Sequence, residues 1–291
     1  MFSIISDGAC DFKKEEVEKS NIEVVPFYIT FDGNTYLKEG IDIDVDEYFE
    51  KIQADKTLFP KTSQPNPQDY IDVYQPHLEA GKDILSISIS SKLSGSYNSA
   101  VIAADTLKED FPDRKIIILD SLSVTVGQAL ILREIIAMRN AGLNLESTVD
   151  KAKKIIQSTK LYFTLDTLEY LKKGGRVGPT TALVGGLLRL KPVLHIINGE
   201  VSQLESVQGK KKVIGFIVEN LTGVLQDITD KVSIGIGHIV RPDDISDLKE
   251  QVESALGITI DVPVTEVGVA IGAHAGPGGL VVGYCAKYTA V

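Results

Sequence analysis

Residues 84–90, Ile84-Leu85-Ser86-Ile87-Ser88-Ile89-Ser90, read as a short strand that runs straight into Ser91-Lys92-Leu93-Ser94-Gly95. A helical pattern follows over Ser96–Glu109, then a second strand over Lys115–Asp120. Strand, helix, strand in this order predicts a parallel sheet covered on both faces. The same alternation extends toward the N-terminus. Phe2–Ser6 is an apolar strand closed by Asp7-Gly8, and a charged helix is expected over Asp11–Ser20. Glu23–Phe31 reads as one strand ending at the Asp32-Gly33-Asn34 turn. Asp46–Gln53 is a helix opened by an Asp44 cap, and Pro67–Ala80 is a helix with Gly81 at its C-terminal end.

Toward the C-terminus, Thr125–Arg139 is a very apolar helix and Leu145–Ser158 an amphipathic one. The character changes near Thr159. Leu161–Thr164 is a short strand, and residues 172–179 form a basic, glycine-rich loop. Pro192–Ile197 and Glu200–Val207 flank Asn198-Gly199, the signature of a hairpin on a type I′ turn. Helices over Lys212–Gln226 and Ile245–Leu256 alternate with strands over Ser233–Ile239, Val264–Val269 and Leu280–Ala286. The expectation is an α/β protein of two α/β domains. Residues 1–158 hold a mainly parallel sheet with helices on both faces, and residues 159–291 a mixed sheet.

Composition narrows the function. The chain has 291 residues, 43% apolar and 24% charged, the proportions of a globular protein with room for a sizeable core. A net charge of −10 argues against nucleic acid as a partner. Cys10 and Cys285 have no CxxC spacing and no neighbouring His, so they read as free thiols. No signal peptide and no apolar run of about 18 residues is seen, so a cytoplasmic protein without an integral membrane segment is expected.

Two hydroxyl-rich segments stand out, Lys61-Thr62-Ser63-Gln64-Pro65 and Lys92–Ser99, each read as a loop ahead of a helix. Hydroxyls beside a helix N-terminus suit one small anion such as a carboxylate or a phosphate. Ser94 and Gly95 serve equally as an ordinary helix cap. Thr62, stiffened by Pro60, Pro65 and Pro67, is either a rigid connector or a second wall for the same anion. His274, in a glycine-rich stretch after a strand, is either structural or a hydrogen-bond partner for an acidic group. The helix Thr125–Arg139 reads as plain core before it reads as the lining of an alkyl channel. Arg176, with Lys172 and Lys173, forms a local basic patch. It is a solvated loop or a docking point for an acidic partner or a phosphate. No Walker-type loop, hydrolase nucleophile elbow or zinc motif is present.

Taken together, the Ile4-Ile5-Ser6-Asp7 strand, Lys61–Pro65, Leu93-Ser94-Gly95-Ser96-Tyr97, Asp120-Ser121-Leu122-Ser123, Leu171–Arg176 and His274-Ala275-Gly276-Pro277-Gly278 resemble the DegV family of bacterial fatty-acid-binding proteins along essentially the whole chain. That resemblance implies a non-enzymatic lipid carrier with no cofactor and no metal. It would bind a long-chain fatty acid such as palmitate in a buried channel and present the carboxylate to a partner fatty acid kinase, in lipid transport or fatty acid metabolism. It further implies Thr62, Ser94 and Gly95 at the carboxylate, His274 close by, and Arg176 as the kinase-docking residue. Ser96 stands where many members carry Thr, which keeps the hydroxyl. The competing expectations are a phosphotransfer enzyme binding a small phosphorylated metabolite at the Ser-Gly loop, and an interaction module whose loops are only caps. The lack of Mg²⁺-ligating carboxylates near Ser94 counts against the first of these.

Overall fold

A computed structural model describes residues 2–55, 57–177 and 190–291. Strands β1 (Phe2–Asp7), β2 (Glu23–Val25), β6 (Asp83–Ser88) and β7 (Ile116–Asp120) form a four-stranded sheet in the order β2-β1-β6-β7. Every neighbouring pair is parallel. Alternate residues of β1 face opposite helix layers. Ile5 packs with Tyr70 and Tyr74 of α3 (Pro67–Glu79) and Ala100 and Ala103 of α4 (Ser96–Leu107). Ile4 joins Leu130 and Ile131 of α5 (Val126–Asn140) and Val149 and Ile155 of α6 (Leu145–Ser158). The parallel sheet is therefore covered on both faces, as the sequence predicts.

A small antiparallel sheet, absent from the sequence reading, lies beside it. It has the order β4-β3-β5, from β3 (Tyr28–Thr30), β4 (Leu37–Lys38) and β5 (Lys61–Ser63). The expected single strand Glu23–Phe31 is broken at Pro26, so β2 and β3 belong to different sheets. Proline has no N–H to offer a ladder. The short α1 (Lys14–Ser20) begins later than expected, because Asp11 sits in the left-handed region at φ 52°. The α2 helix (Val45–Ala54) starts where the sequence puts it, with the Asp44 carboxylate accepting the Glu47 amide.

The third sheet is mixed, in the order β10-β9-β8-β13-β11-β12. Its strands are β8 (Lys160–Leu165), β9 (Leu190–Ile197), β10 (Glu200–Gln208), β11 (Val232–Ile239), β12 (Thr265–Glu266) and β13 (Gly279–Ala286). All its pairs are antiparallel except β11–β12. Asn198 and Gly199 both take positive φ, 52° and 84°, as the expected hairpin turn requires. Helices α8 (Lys210–Leu225) and α9 (Pro242–Leu256) cover the outer face. On the other face lies α5. Gly235 and Gly237 let it approach closely, since a Cβ on either would fall within 3.0 Å of Val126. Because α5 also touches β1, most of its surface is buried, and none of its own residues lines the cavity described below. It is core rather than channel wall.

Two further expectations are corrected. The expected strand Val264–Val269 stops after two residues, and Gly268 then caps α10 (Val269–Ala275). His274 is therefore helical and not part of a glycine-rich loop. The expected basic loop 172–179 is helical at its start, as α7 (Glu169–Gly174), with Lys173 paired to Glu169 one turn back. Gly175 at φ 68° ends that helix, and Gly178 and Pro179 lie outside the described residues. No helix among the described residues is long and apolar enough to cross a membrane.

Candidate functional site

The site starts at the carboxyl ends of the parallel strands, where open α/β sheets place their ligands. β1 ends at Asp7, which is fully buried. Its Oδ2 accepts the Ile89 amide at 3.0 Å and the Ser96 hydroxyl at 2.7 Å, and its Oδ1 accepts the Gln128 amide at 2.8 Å. With the Ser96 proton committed to Asp7, the Tyr70 hydroxyl donates to Ser96 Oγ at 2.7 Å. Burial pushes the Asp7 pKa up against the pull of these donors. Asp7 thus pins the end of β6 to the start of α4 and fixes the loop between them. Inside that loop the Ser90 carbonyl accepts the amides of Leu93 and Ser94. Ser94 is not the cap of α4. Its Oγ instead accepts the Ser96 amide at 3.2 Å.

Thr62 arrives on β5, paired with Ile29 of β3, so a strand and not a proline-stiffened loop sets its direction. The next residue but one joins the two hydroxyl segments. Gln64 Oε1 accepts the Gly95 amide at 2.9 Å, and a Cβ on Gly95 would stand 2.5 Å from the Gln64 amide group. Gly95 is therefore the joint between the segments, with its N–H directed at Gln64.

From the other side α10 brings His274, whose Nε2 lies 2.7 Å from Thr62 Oγ1. Burial, and then the charge of Arg176, push the His274 pKa down to about 4, so the ring is neutral at neutral pH. Two acids brace the start of α10. Glu39 Oε1 accepts the Ala270 amide at 3.0 Å. The Asp11 carboxylate lies against the Thr125 hydroxyl and the Gly268 amide without a well-aligned bond to either. Burial raises the pKa of both, that of Glu39 to about 7. Arg176 crosses the rim. Its Nε donates to the Leu93 carbonyl at 3.2 Å and its Nη1 to the Gly174 carbonyl, while the side chain stays exposed.

Beside these groups lies a cavity of about 480 Å³, within the ~300–1,000 Å³ usual for small-molecule sites. Its far larger share of wall is apolar, including Leu161 and Phe163 of β8, Ile196 of β9, Val201 of β10, Ile239 of β11 and Val281 of β13. Thr62, Ser94, Arg176 and His274 all line it. Such a chamber can hold an aliphatic chain and a polar head together. Among the described residues no group of His, Cys, Asp or Glu is arranged to hold a metal ion. Both cysteines are free and buried.

Sequence reading did not assign Asp7, Glu39, Gln64 or Gly174. Asp7 closes a strand at its carboxyl end, which is the one local signal for it. The others act on partners dozens to hundreds of residues away.

Comparison with known proteins comes down on one family. The DegV family model matches residues 1–287. A DegV domain-containing protein of Caldanaerobacter subterraneus is 30% identical over 275 residues, covering 94% of this chain and 95% of the relative. The crystal structure of a stearic-acid-binding protein from Eubacterium ventriosum superposes with a TM-score of 0.94 at 33% identity, over 100% of both chains. A DegV family protein from Thermus thermophilus, described by its fatty acid binding, gives a TM-score of 0.89 at 28% identity over 98% of this chain and 99% of that one.

Proposed function

Because the chain belongs to the DegV family, we propose that it is a cytoplasmic carrier of one long-chain fatty acid. The acyl tail lies in the apolar cavity between residues 1–158 and 159–291. The carboxylate meets Thr62 and Ser94, with His274 behind Thr62. A partner kinase docks at Arg176 and takes the carboxylate as its phosphoryl acceptor. The observation that carries this reading is the union of an aliphatic chamber with two hydroxyls from different elements at its polar part. The solved relatives described as binding stearic acid and fatty acid support it.

The energetics agree. Each buried CH₂ contributes about 0.8 kcal/mol, so the tail supplies affinity. A buried carboxylate needs convergent donors, so the head group supplies orientation. Arg176 is exposed on its outer side, which suits contact with an acidic partner surface. The test is extraction of the purified protein into organic solvent, followed by mass spectrometry. A C14–C18 fatty acid, together with a thermal shift on adding palmitate, is expected. An extract free of acyl species, with no shift on palmitate, overturns the carrier reading.

A further inference from the structure

Thr125 lines the apolar cavity but belongs to neither hydroxyl segment. It holds the N-cap position of α5, where threonine ordinarily turns its hydroxyl onto the first turn of the helix. Here it makes no such bond. The residue is 3% exposed, and its Oγ1 is buried without a well-aligned hydrogen bond. Among the described residues it is the one such hydroxyl that lines the cavity. A buried hydroxyl without a partner is costly, so the space it faces favours a polar atom.

The backbone of Thr125 is strained as well. Its φ of 46° and ψ of −123° suit glycine and disfavour a β-branched side chain. Its N–H donates to the Ala9 carbonyl and its carbonyl accepts the Ala129 amide, each at 2.8 Å, so the chain on both sides holds it there. Threonine at this position thus carries two costs that glycine would lack. Behind it lies the Asp11 carboxylate, both of whose oxygens are buried without a well-aligned partner. Asp11 Oδ1 stands 2.7 Å from the place of a Cβ on Gly268, next to the cavity-lining Val267. A polar corner therefore interrupts the apolar wall. It is supplied by the α5 N-cap and the turn after β1, whereas Thr62 and Ser94 come from β5 and the loop before α4.

We propose that Thr125, backed by Asp11, is a second polar subsite of the chamber and takes a hydroxyl carried on the acyl chain. The inference rests on the fatty-acid reading above and extends it to hydroxylated fatty acids. A hydroxyl both donates and accepts, so it completes the bonding whichever way the hydrogen lies between Thr125 and Asp11. A keto oxygen accepts only. A second carboxylate would come to rest beside two buried acids, Asp11 and Glu39, where a further negative charge is disfavoured. Against the apolar wall a chain hydroxyl is buried without a partner, so its position along the chain decides the affinity.

The test is calorimetric titration of the delipidated full chain with palmitate and with monohydroxypalmitates in which the hydroxyl steps along the chain. One position should bind at least as tightly as palmitate, and isomers with the hydroxyl elsewhere about 10–100-fold more weakly. Valine keeps the shape of threonine without the hydroxyl. In Thr125→Val the preference for the favoured isomer over palmitate should fall by about 10–100-fold, and Thr125→Ser should restore it. If every isomer binds wild type more weakly than palmitate, the proposal is overturned and the corner belongs to a water molecule. A preference that survives Thr125→Val also overturns it. The wild-type series decides alone if the valine variant does not fold. A protein that takes neither palmitate nor any hydroxy acid sinks the carrier reading and this inference with it, whereas palmitate bound with no favoured isomer sinks this inference only.

Discussion

Gly174→Ala is the sharpest single test of how the head-group site is held. Gly174 ends α7 with its Cα against the His274 ring. An ideal Cβ there would fall 2.3 Å from Nδ1, 3.2 Å from Cε1 and 3.3 Å from Cγ. Those distances require the ring or the helix to move. Alanine is the better helix former by about 1 kcal/mol, while forcing a methyl into a packed site costs about 1–3 kcal/mol. The two effects oppose each other, so global stability should change little. Ligand binding has no such offset. The 2.7 Å bond from His274 to Thr62 is displaced whichever way the ring turns, and its net worth of about 0.5–1.5 kcal/mol corresponds to a loss of up to about tenfold in affinity. Calorimetric titration with palmitate and thermal denaturation, run on the same variant, separate the two quantities. In a His274→Ala background the space opposite position 174 is vacant. There Gly174→Ala should leave affinity unchanged and raise stability, a coupling typical of residues in direct contact. Wild-type affinity in Gly174→Ala, or an equal loss in the His274→Ala background, would refute the argument that Gly174 is a contact surface for the ring.

Three further outcomes are expected. Thr62→Ala and Ser94→Ala should each weaken palmitate binding by about 1–3 kcal/mol, and the double variant by less than the sum, because both hydroxyls serve one carboxylate. Strict additivity in titration would place them on separate groups. Glu39 is raised to about 7 by burial and, to a smaller extent, by the charge of Asp7. Its neutral form therefore stabilises the fold fully below the ordinary carboxylate range, and that stability is lost as pH rises through about 7. Glu39→Gln keeps an oxygen for the Ala270 amide and cannot ionise. Its melting temperature should fall less between about pH 5 and 8 than that of wild type, the remaining slope coming from the buried Asp7 and Asp11, and parallel curves would assign the titration to another group. Arg176→Ala should retain its fatty acid and lose phosphorylation of that acid by the matching kinase, chiefly through a slower, less salt-sensitive encounter. A variant that purifies empty would move Arg176 from the partner to the ligand.

The sequence announces what is local. Strand and helix alternate in β1, α3, β6, α4 and β7 because side-chain period and caps are written within a few residues of one another, and the parallel sheet follows. The Asn198-Gly199 hairpin is legible for the same reason. What fails is decided at a distance. The apolar run 264–269 has the composition of a strand. It turns helical after Gly268 because a carboxylate 231 residues away in the chain takes the Ala270 amide. Thr62 and His274 are 212 residues apart, and nothing in either neighbourhood points to the other. In the sequence, only the family resemblance places them in one site.

Glycine shows the gap most clearly. In the sequence Gly95 reads as part of a helix cap, Gly174 as part of a basic loop, and Gly268 as a residue of a strand. None of these three has positive φ. Each is instead a place where a side chain from elsewhere comes to rest: the Gln64 amide on Gly95, the His274 ring on Gly174, and the carboxylates of Glu39 and Asp11 on Gly268. At all three an added Cβ would stand 2.3–2.5 Å from a polar atom of the site or its support. These glycines therefore act by their missing methyl and not by conformational freedom. An alanine at any of them has an allowed backbone, so what it perturbs is the head-group geometry. Substitution at the glycine positions, more than at the hydroxyls they support, therefore tests the proposed carboxylate site against a pair of helix caps.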